Sequence, residues 1–111
     1  NFILPALVQR GNLTVAISTG GKSPALASRI RQELEQRFGP EYADLLELMG
    51  AVRARLLSES QDSRGNKERF DRLVDSPLLD LVKRRDRDGI DRLLQAILGR
   101  GYSLPDLEIS W

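Results

Sequence analysis

Apolar positions along the 111-residue chain keep two different periods. Up to about residue 19 they alternate. Leu13-Thr14-Val15-Ala16-Ile17-Ser18 is β-branched with period two, and Arg10-Gly11-Asn12 ahead of it has the residues of a turn. Phe2 to Val8 is the expected preceding strand, with Pro5 placing it at an edge or a bulge. From residue 24 the period becomes helical. Ser23 followed by Pro24 suits a helix start, because serine caps a free N–H and proline at the first helical position sacrifices no bond. Ala27, Ile30, Leu34 and Phe38 then share a face, and Gly39-Pro40 closes the segment. A second helix is expected over about 41–59 with Tyr42, Leu45, Met49, Val52 and Leu56 on its apolar face. Asp62-Ser63-Arg64-Gly65-Asn66 reads as a polar break. Beyond it lie a helix with Phe70, Leu73 and Val74, a restart at Ser76-Pro77 leading to Leu78, Leu79, Leu81 and Val82, and a last helix. That last helix, capped by Asp88, carries Ile90, Leu93, Leu94, Ile97 and Leu98 and is closed by Gly99. Tyr102 to Trp111 has no helical period and is expected to be extended or docked.

The pattern predicts a mainly α fold, a short N-terminal β-strand pair followed by a bundle of about four to five helices. Its expected division is a segment over 1–38, holding the strand pair, the Gly-Gly turn and the first helix, and a helical domain over 39–111. The chain opens at Asn1 inside an apolar run, as if residues before it had been lost. That run is too short to span a membrane and lacks the basic lead of a signal peptide.

Composition narrows the chemistry. Seventeen basic and sixteen acidic residues leave a net charge of +1, which selects no class of partner. Cysteine and histidine are both absent, which removes disulfides, thiolate nucleophiles, imidazole bases and the usual zinc sites, and fits a cytoplasmic protein. Lys83-Arg84-Arg85 and Arg87 are interrupted by Asp80, Asp86, Asp88 and Asp91 without interleaved aromatics. They read as a solvated helix end and not as a nucleic-acid surface. Glu33 and Glu35, or Asp44 and Glu47, are ordinary surface acids, since general acid–base work needs buried surroundings.

The segment that can carry chemistry is Ala16-Ile17-Ser18-Thr19-Gly20-Gly21-Lys22-Ser23-Pro24. A strand ends in two hydroxyls, two glycines let a ligand approach the backbone, and a helix N-terminus follows. Free N–H groups and the positive end of the helix make an anion site, to which Lys22 adds charge and to which Arg10 and Arg29 are expected to be near. The residues alone leave ligand binding and a plain structural turn equally open. A P-loop is excluded. Its first glycine would fall five positions before Gly21, where Ala16 stands.

Asn1-Phe2-Ile3-Leu4-Pro5-Ala6, the strand Leu13 to Ser18, and Ser18-Thr19-Gly20-Gly21-Lys22-Ser23-Pro24 with Ala27 and Arg29 together closely resemble the middle of siroheme synthase, in its precorrin-2 dehydrogenase/sirohydrochlorin ferrochelatase module. The helices, Ser76 to Leu98 in particular, resemble that module's C-terminal region less diagnostically. The resemblance implies an N-terminal Rossmann domain that binds NAD, a central segment forming an intertwined homodimer (here 1–38), and a C-terminal helical domain. It implies oxidation of precorrin-2 to sirohydrochlorin with NAD, followed in many members by insertion of ferrous iron. The aspartate implicated in both reactions is expected upstream of Asn1, so no catalytic residue, cofactor-binding residue or metal ligand is expected in this chain. The expected substrate-binding residues are Ser18, Thr19, Gly20, Gly21, Lys22 and Ser23, facing a tetrapyrrole rich in carboxylates. Thr19 stands where serine is frequent in the family and keeps the hydroxyl, whereas Lys22 occupies a variable position. No glycine-rich dinucleotide fingerprint occurs here. The expected role is therefore a dimer interface and one wall of the tetrapyrrole site in a cytoplasmic enzyme, with no nucleic-acid or membrane partner. The alternative is a non-catalytic helical interaction domain whose Gly-Gly turn is structural.

Overall fold

In a computed structural model that describes residues 4–111, the chain is two strands followed by five helices. It divides into two compact units. Ala43 ends the first and Asp44 begins the second.

The first unit opens with β1 (Ala6–Arg10) and β2 (Leu13–Ile17), paired antiparallel with Val8 opposite Val15 and Arg10 opposite Leu13. Gly11 and Asn12 are thus a two-residue hairpin loop. Gly11 takes φ +60, and a Cβ on it would lie 2.7 Å from the Cβ of Ala43, so both conformation and space demand glycine. The strand expected from Phe2 begins later: Leu4 and Pro5 precede it, and Phe2 and Ile3 fall outside the described residues. Alternation puts Val8, Leu13, Val15 and Ile17 on the more buried face and Leu7, Gln9, Thr14 and Ala16 on the exposed one. Helix α1 (Pro24–Arg37) packs against both strands. Among the described residues of this unit Val8 alone is buried. Helix α1 has no buried residue, and Leu7 and Leu26 stand about half exposed.

Helix α2 (Glu41–Glu59) has the expected bounds, and its apolar face centres on Leu48, Val52 and Leu56. Leu48 was not among the residues expected there. It is fully buried, while Leu45 and Met49 flank it half-buried, because the stripe follows i, i+4, i+8 from 48 and not the i, i+3 steps from 42. The segment expected as a polar break is instead the start of a helix. Asp62 caps α3 (Ser63–Val74) by accepting from Gly65 N at 3.1 Å, and Ser63 to Asn66 form its first turn. Leu73 of α3 is buried but Val74 is exposed. Helix α4 (Leu78–Lys83) buries Leu78 and Val82. Helix α5 (Arg87–Leu98) is capped by Asp86, whose Oδ1 accepts from Gly89 N at 3.0 Å, and not by Asp88, which sits in the first turn where an acid favours the helix dipole. Gly99 closes it with φ +94.

The tail is docked, as its lack of period allowed. Tyr102, Leu104 and Ile109 join Leu48, Val52, Leu56, Leu73, Leu78, Val82, Ile90 and Leu94 in one aliphatic core. Two polar clasps hold the tail to α2. Tyr102 Oη donates to Glu59 Oε1 at 2.5 Å beneath the Arg55 guanidinium, and Trp111 Nε1 donates to Glu47 Oε2 at 2.5 Å with Arg85 over the indole. Arg85 also pairs with Asp44 at 2.6 Å, and Arg84 with Asp80 at 3.0 Å, so two arginines of the basic run are engaged in ion pairs. No helix among the described residues is long and apolar enough to cross a membrane.

Candidate functional site

The end of β2, the Gly-Gly turn and the start of α1 form one continuous piece of the first unit. Thr19 O accepts from Lys22 N at 3.1 Å, with Gly20 at φ +64 and Gly21 at φ +77. Two successive left-handed residues closed by that bond make a type I′ turn, which side-chain-bearing residues enter only at a cost. A Cβ on Gly20 would meet nothing within 4 Å, so its requirement is conformational and its surroundings are open.

The hydroxyls sort by partner. Ser18 Oγ accepts from Gly20 N at 3.2 Å, and Thr19 Oγ1 accepts from Ser23 N at 3.0 Å. Ser23 Oγ accepts from Leu26 N at 3.0 Å, the helix-capping bond expected of it, with Pro24 following in the first turn. Each oxygen thus works as an acceptor, and each hydroxyl proton is left to point elsewhere. The amide N–H groups of Gly21 and Ala25 take no part in these bonds. Ser18, Gly20, Gly21 and Lys22 are exposed, and Thr19 and Ser23 half-buried. The six residues expected at the site are therefore together on one accessible turn, aimed by the helix they start.

Arg10 is elsewhere. Its Nε donates to Phe38 O at 2.7 Å and its Nη2 to Glu35 O at 3.1 Å, so it satisfies carbonyls at the far end of α1. Fourteen residues at 1.5 Å each put that end about 20 Å from the turn. The expectation that Arg10 lies near the turn fails because the hairpin reverses direction and carries Arg10 away from the strand end that leads into the turn. Arg29 lies exposed on α1.

The site offers hydrogen-bond donors, a helix N-terminus and one lysine. That equipment binds and orients an anionic or carbonyl-rich ligand, and it contains no nucleophile with a base beside it. The described residues do not fit a dinucleotide. Their sheet is an antiparallel hairpin, and the glycines of the turn lack the spacing of a βαβ phosphate loop. No group of acidic side chains among them could hold a metal ion.

The described residues thus form a strand pair, a hydroxyl-Gly-Gly turn and a capped helix ahead of a small helical bundle. Residues 10–37 match the family described as "Sirohaem biosynthesis protein central". A siroheme synthase of Hydrogenovibrio crunogenus is 34% identical over 98% of this chain, and a precorrin-2 dehydrogenase of Methanosarcina barkeri is 32% identical over 68% of it. The solved structure of "SirC, precorrin-2 dehydrogenase" superposes with a TM-score of 0.70 at 28% identity, covering 87% of this chain and 46% of that one. The resemblance read from the N-terminal residues is borne out: the chain is similar, over nearly its whole length, to one part of siroheme synthases and precorrin-2 dehydrogenases. It spans 24% of the Hydrogenovibrio protein and 34% of the Methanosarcina one.

Proposed function

We propose that this chain is part of an enzyme that oxidises precorrin-2 to sirohydrochlorin with NAD, and that the Ser18–Ser23 turn forms one wall of its tetrapyrrole site. The observation that carries this is the turn itself. Ser18, Thr19, Gly20, Gly21, Lys22 and Ser23 converge on an accessible helix start, and the relatives over this segment bear the names siroheme synthase and precorrin-2 dehydrogenase. Hydroxyl protons, the Gly21 and Ala25 amides and the Lys22 ammonium are donors suited to the carboxylates of a tetrapyrrole. NAD and the catalytic aspartate belong, on this reading, to residues upstream of Asn1. The resemblance also makes the parent a candidate for inserting ferrous iron into the product, with iron as substrate.

The reading also assigns residues 1–38 to a homodimer interface and residues 39–111 to the helical domain. What supports the interface is the exposed face of the hairpin, where Leu7 is 49% accessible, together with a first helix that buries none of its residues. The competing reading, a helical interaction domain with a merely structural turn, draws on the fact that the turn's oxygens are already bonded within the turn.

The test is precorrin-2 oxidation by the full-length parent, followed through NADH formation, beside the same assay on the 111-residue chain. The parent should turn over and the chain alone should not. Parent protein inactive on precorrin-2 would sink the assignment, and NADH formation by the isolated chain would show that the catalytic residues have been misplaced.

A further inference from the structure

Arg10, absent from the Gly-Gly turn, holds the opposite end of the helix that the turn begins. All three of its guanidinium nitrogens donate to main-chain carbonyls: Nε to Phe38 O at 2.7 Å, Nη2 to Glu35 O at 3.1 Å and Nη1 to Gln9 O at 3.0 Å. The first two oxygens lie at the end of α1, where carbonyls lack intrahelical partners. A left-handed glycine commonly serves such an end, yet Phe38 at the cap is extended, with φ −106 and ψ 96, and Gly39 is not left-handed. A rigid planar fork can bridge two helix carbonyls and a strand, where a lysine ammonium acts as a single point.

The surroundings let these bonds set the direction of the helix. Arg10 closes β1 beside the hairpin loop, Gly11 of that loop packs on Ala43, and Phe38 meets Tyr42 edge-on with ring centres 5.0 Å apart. The hairpin tip thus grips the chain on both sides of the link between α1 and α2. Side-chain burial adds little restraint, because α1 has no buried residue within one copy of the chain. Its start is tied by Thr19 Oγ1 to Ser23 N and its end by Arg10. If the Arg10 end drifted by about 4 Å, a helix about 20 Å long would swing by about 10° around the turn. Groups that serve a ligand must keep their aim to within about 10–20°.

We infer that Arg10 is a positioning residue for the proposed tetrapyrrole wall: by fixing the far end of α1 to the hairpin, it aims the donors at the helix start, among them the Thr19 hydroxyl and the Gly21 and Ala25 amides. The inference rests on the reading of the turn given above, and it adds a residue that itself touches no ligand.

A double-mutant cycle in the full-length parent tests it, with sirohydrochlorin binding read by fluorescence quenching well below the melting transition of every variant. Residues about 20 Å apart with no shared partner normally contribute independently, so coupling between them is the signature of a helix that transmits position. Arg10→Gln should weaken binding about three- to tenfold, the scale of one misdirected hydrogen bond, but by at most about twofold in the Thr19→Ala background. NAD affinity should be unchanged. Arg10→Lys keeps the charge but cannot bridge two carbonyls. It should show the same coupling more weakly, and it decides the matter if Arg10→Gln does not fold. Equal factors in the two Thr19 backgrounds, or Arg10 variants that melt earlier yet bind like wild type, would make Arg10 a plain helix cap and overturn the proposal. Where Thr19→Ala alone still weakens binding, only the role of Arg10 falls; where Thr19→Ala also binds like wild type, the reading of the turn falls with it.

Discussion

Thr19 Oγ1 accepts from the amide of Ser23, so the hydroxyl proposed to meet the ligand also ties the turn to the helix behind it. Removing it acts twice. Thr19→Ala in the full-length protein should weaken sirohydrochlorin binding about three- to thirtyfold, the loss of a donor to a charged acceptor, and should lower the melting temperature as well. Thr19→Ser keeps both bonds and should restore both properties. Ser23→Ala removes the cap on Leu26 N and should cost about 1 kcal/mol of stability with binding retained. Fluorescence quenching by the ligand beside thermal melts separates these outcomes, and a Thr19→Ala protein that binds like wild type would remove Thr19 from the site. At the other end of the chain, burial and the hydrogen bond to Glu59 push the Tyr102 phenol up to about 12. The folded state therefore holds its proton where the unfolded chain, near pH 10, gives it up. This stabilisation is complete below about pH 10 and is lost as pH rises to about 12. Tyr102→Phe should flatten the alkaline limb of a denaturation-versus-pH curve, and at neutral pH it should cost about 1–2 kcal/mol. An alkaline limb unchanged by the substitution would show that Tyr102 is not its source.

Among elements, glycine shows how the same residue type answers to different demands. Gly50 lies within α2, exposed, and a Cβ there would touch nothing within 4 Å. Gly50→Ala should therefore stabilise the protein by about 0.5–1 kcal/mol. Gly20 also has open space, but its φ of +64 makes Gly20→Ala cost about 1–2 kcal/mol. Chemical denaturation of both variants checks the opposite signs. The element scale is also where the sequence was most and least legible. The bounds of α2 and the Ser23-Pro24 start of α1 were readable because period and capping chemistry agree there. The start of α3 was not. Ser63, Gly65 and Asn66 are weak helix formers, and the Asp62 cap starts the helix through them. At α5 two aspartates competed for one role, and the one bonded to Gly89 N lies two positions earlier than expected. Arg10 was misjudged because only the hairpin's pairing, and no local pattern, says to which end of α1 it belongs.

For the whole molecule, the first unit poses a question of stability. Two short strands and one helix with a single buried residue among those described fall short of what a free-standing sheet needs. The chain should dimerise through residues 2–19 and α1, and light scattering at micromolar concentration should return twice the monomer mass. A monomer with intact helical circular dichroism would count against the interface. The second unit needs no such help, since its core gathers residues from α2 to the tail.

That tail ends in the molecule's one indole, and its position gives the protein a built-in optical gauge. The ring of Trp111 sits under the Arg85 guanidinium, 4.9 Å from its centre, while its N–H is held by Glu47. Detaching the tail must move the ring away from the cation and from Glu47, which changes its emission whether or not a helix melts. Tryptophan fluorescence therefore reports on the clasp, whereas far-ultraviolet dichroism reports on the bundle. Coincident transitions would make tail and bundle one cooperative unit. An earlier optical transition would show the tail to be a detachable strap, released while the five helices stand.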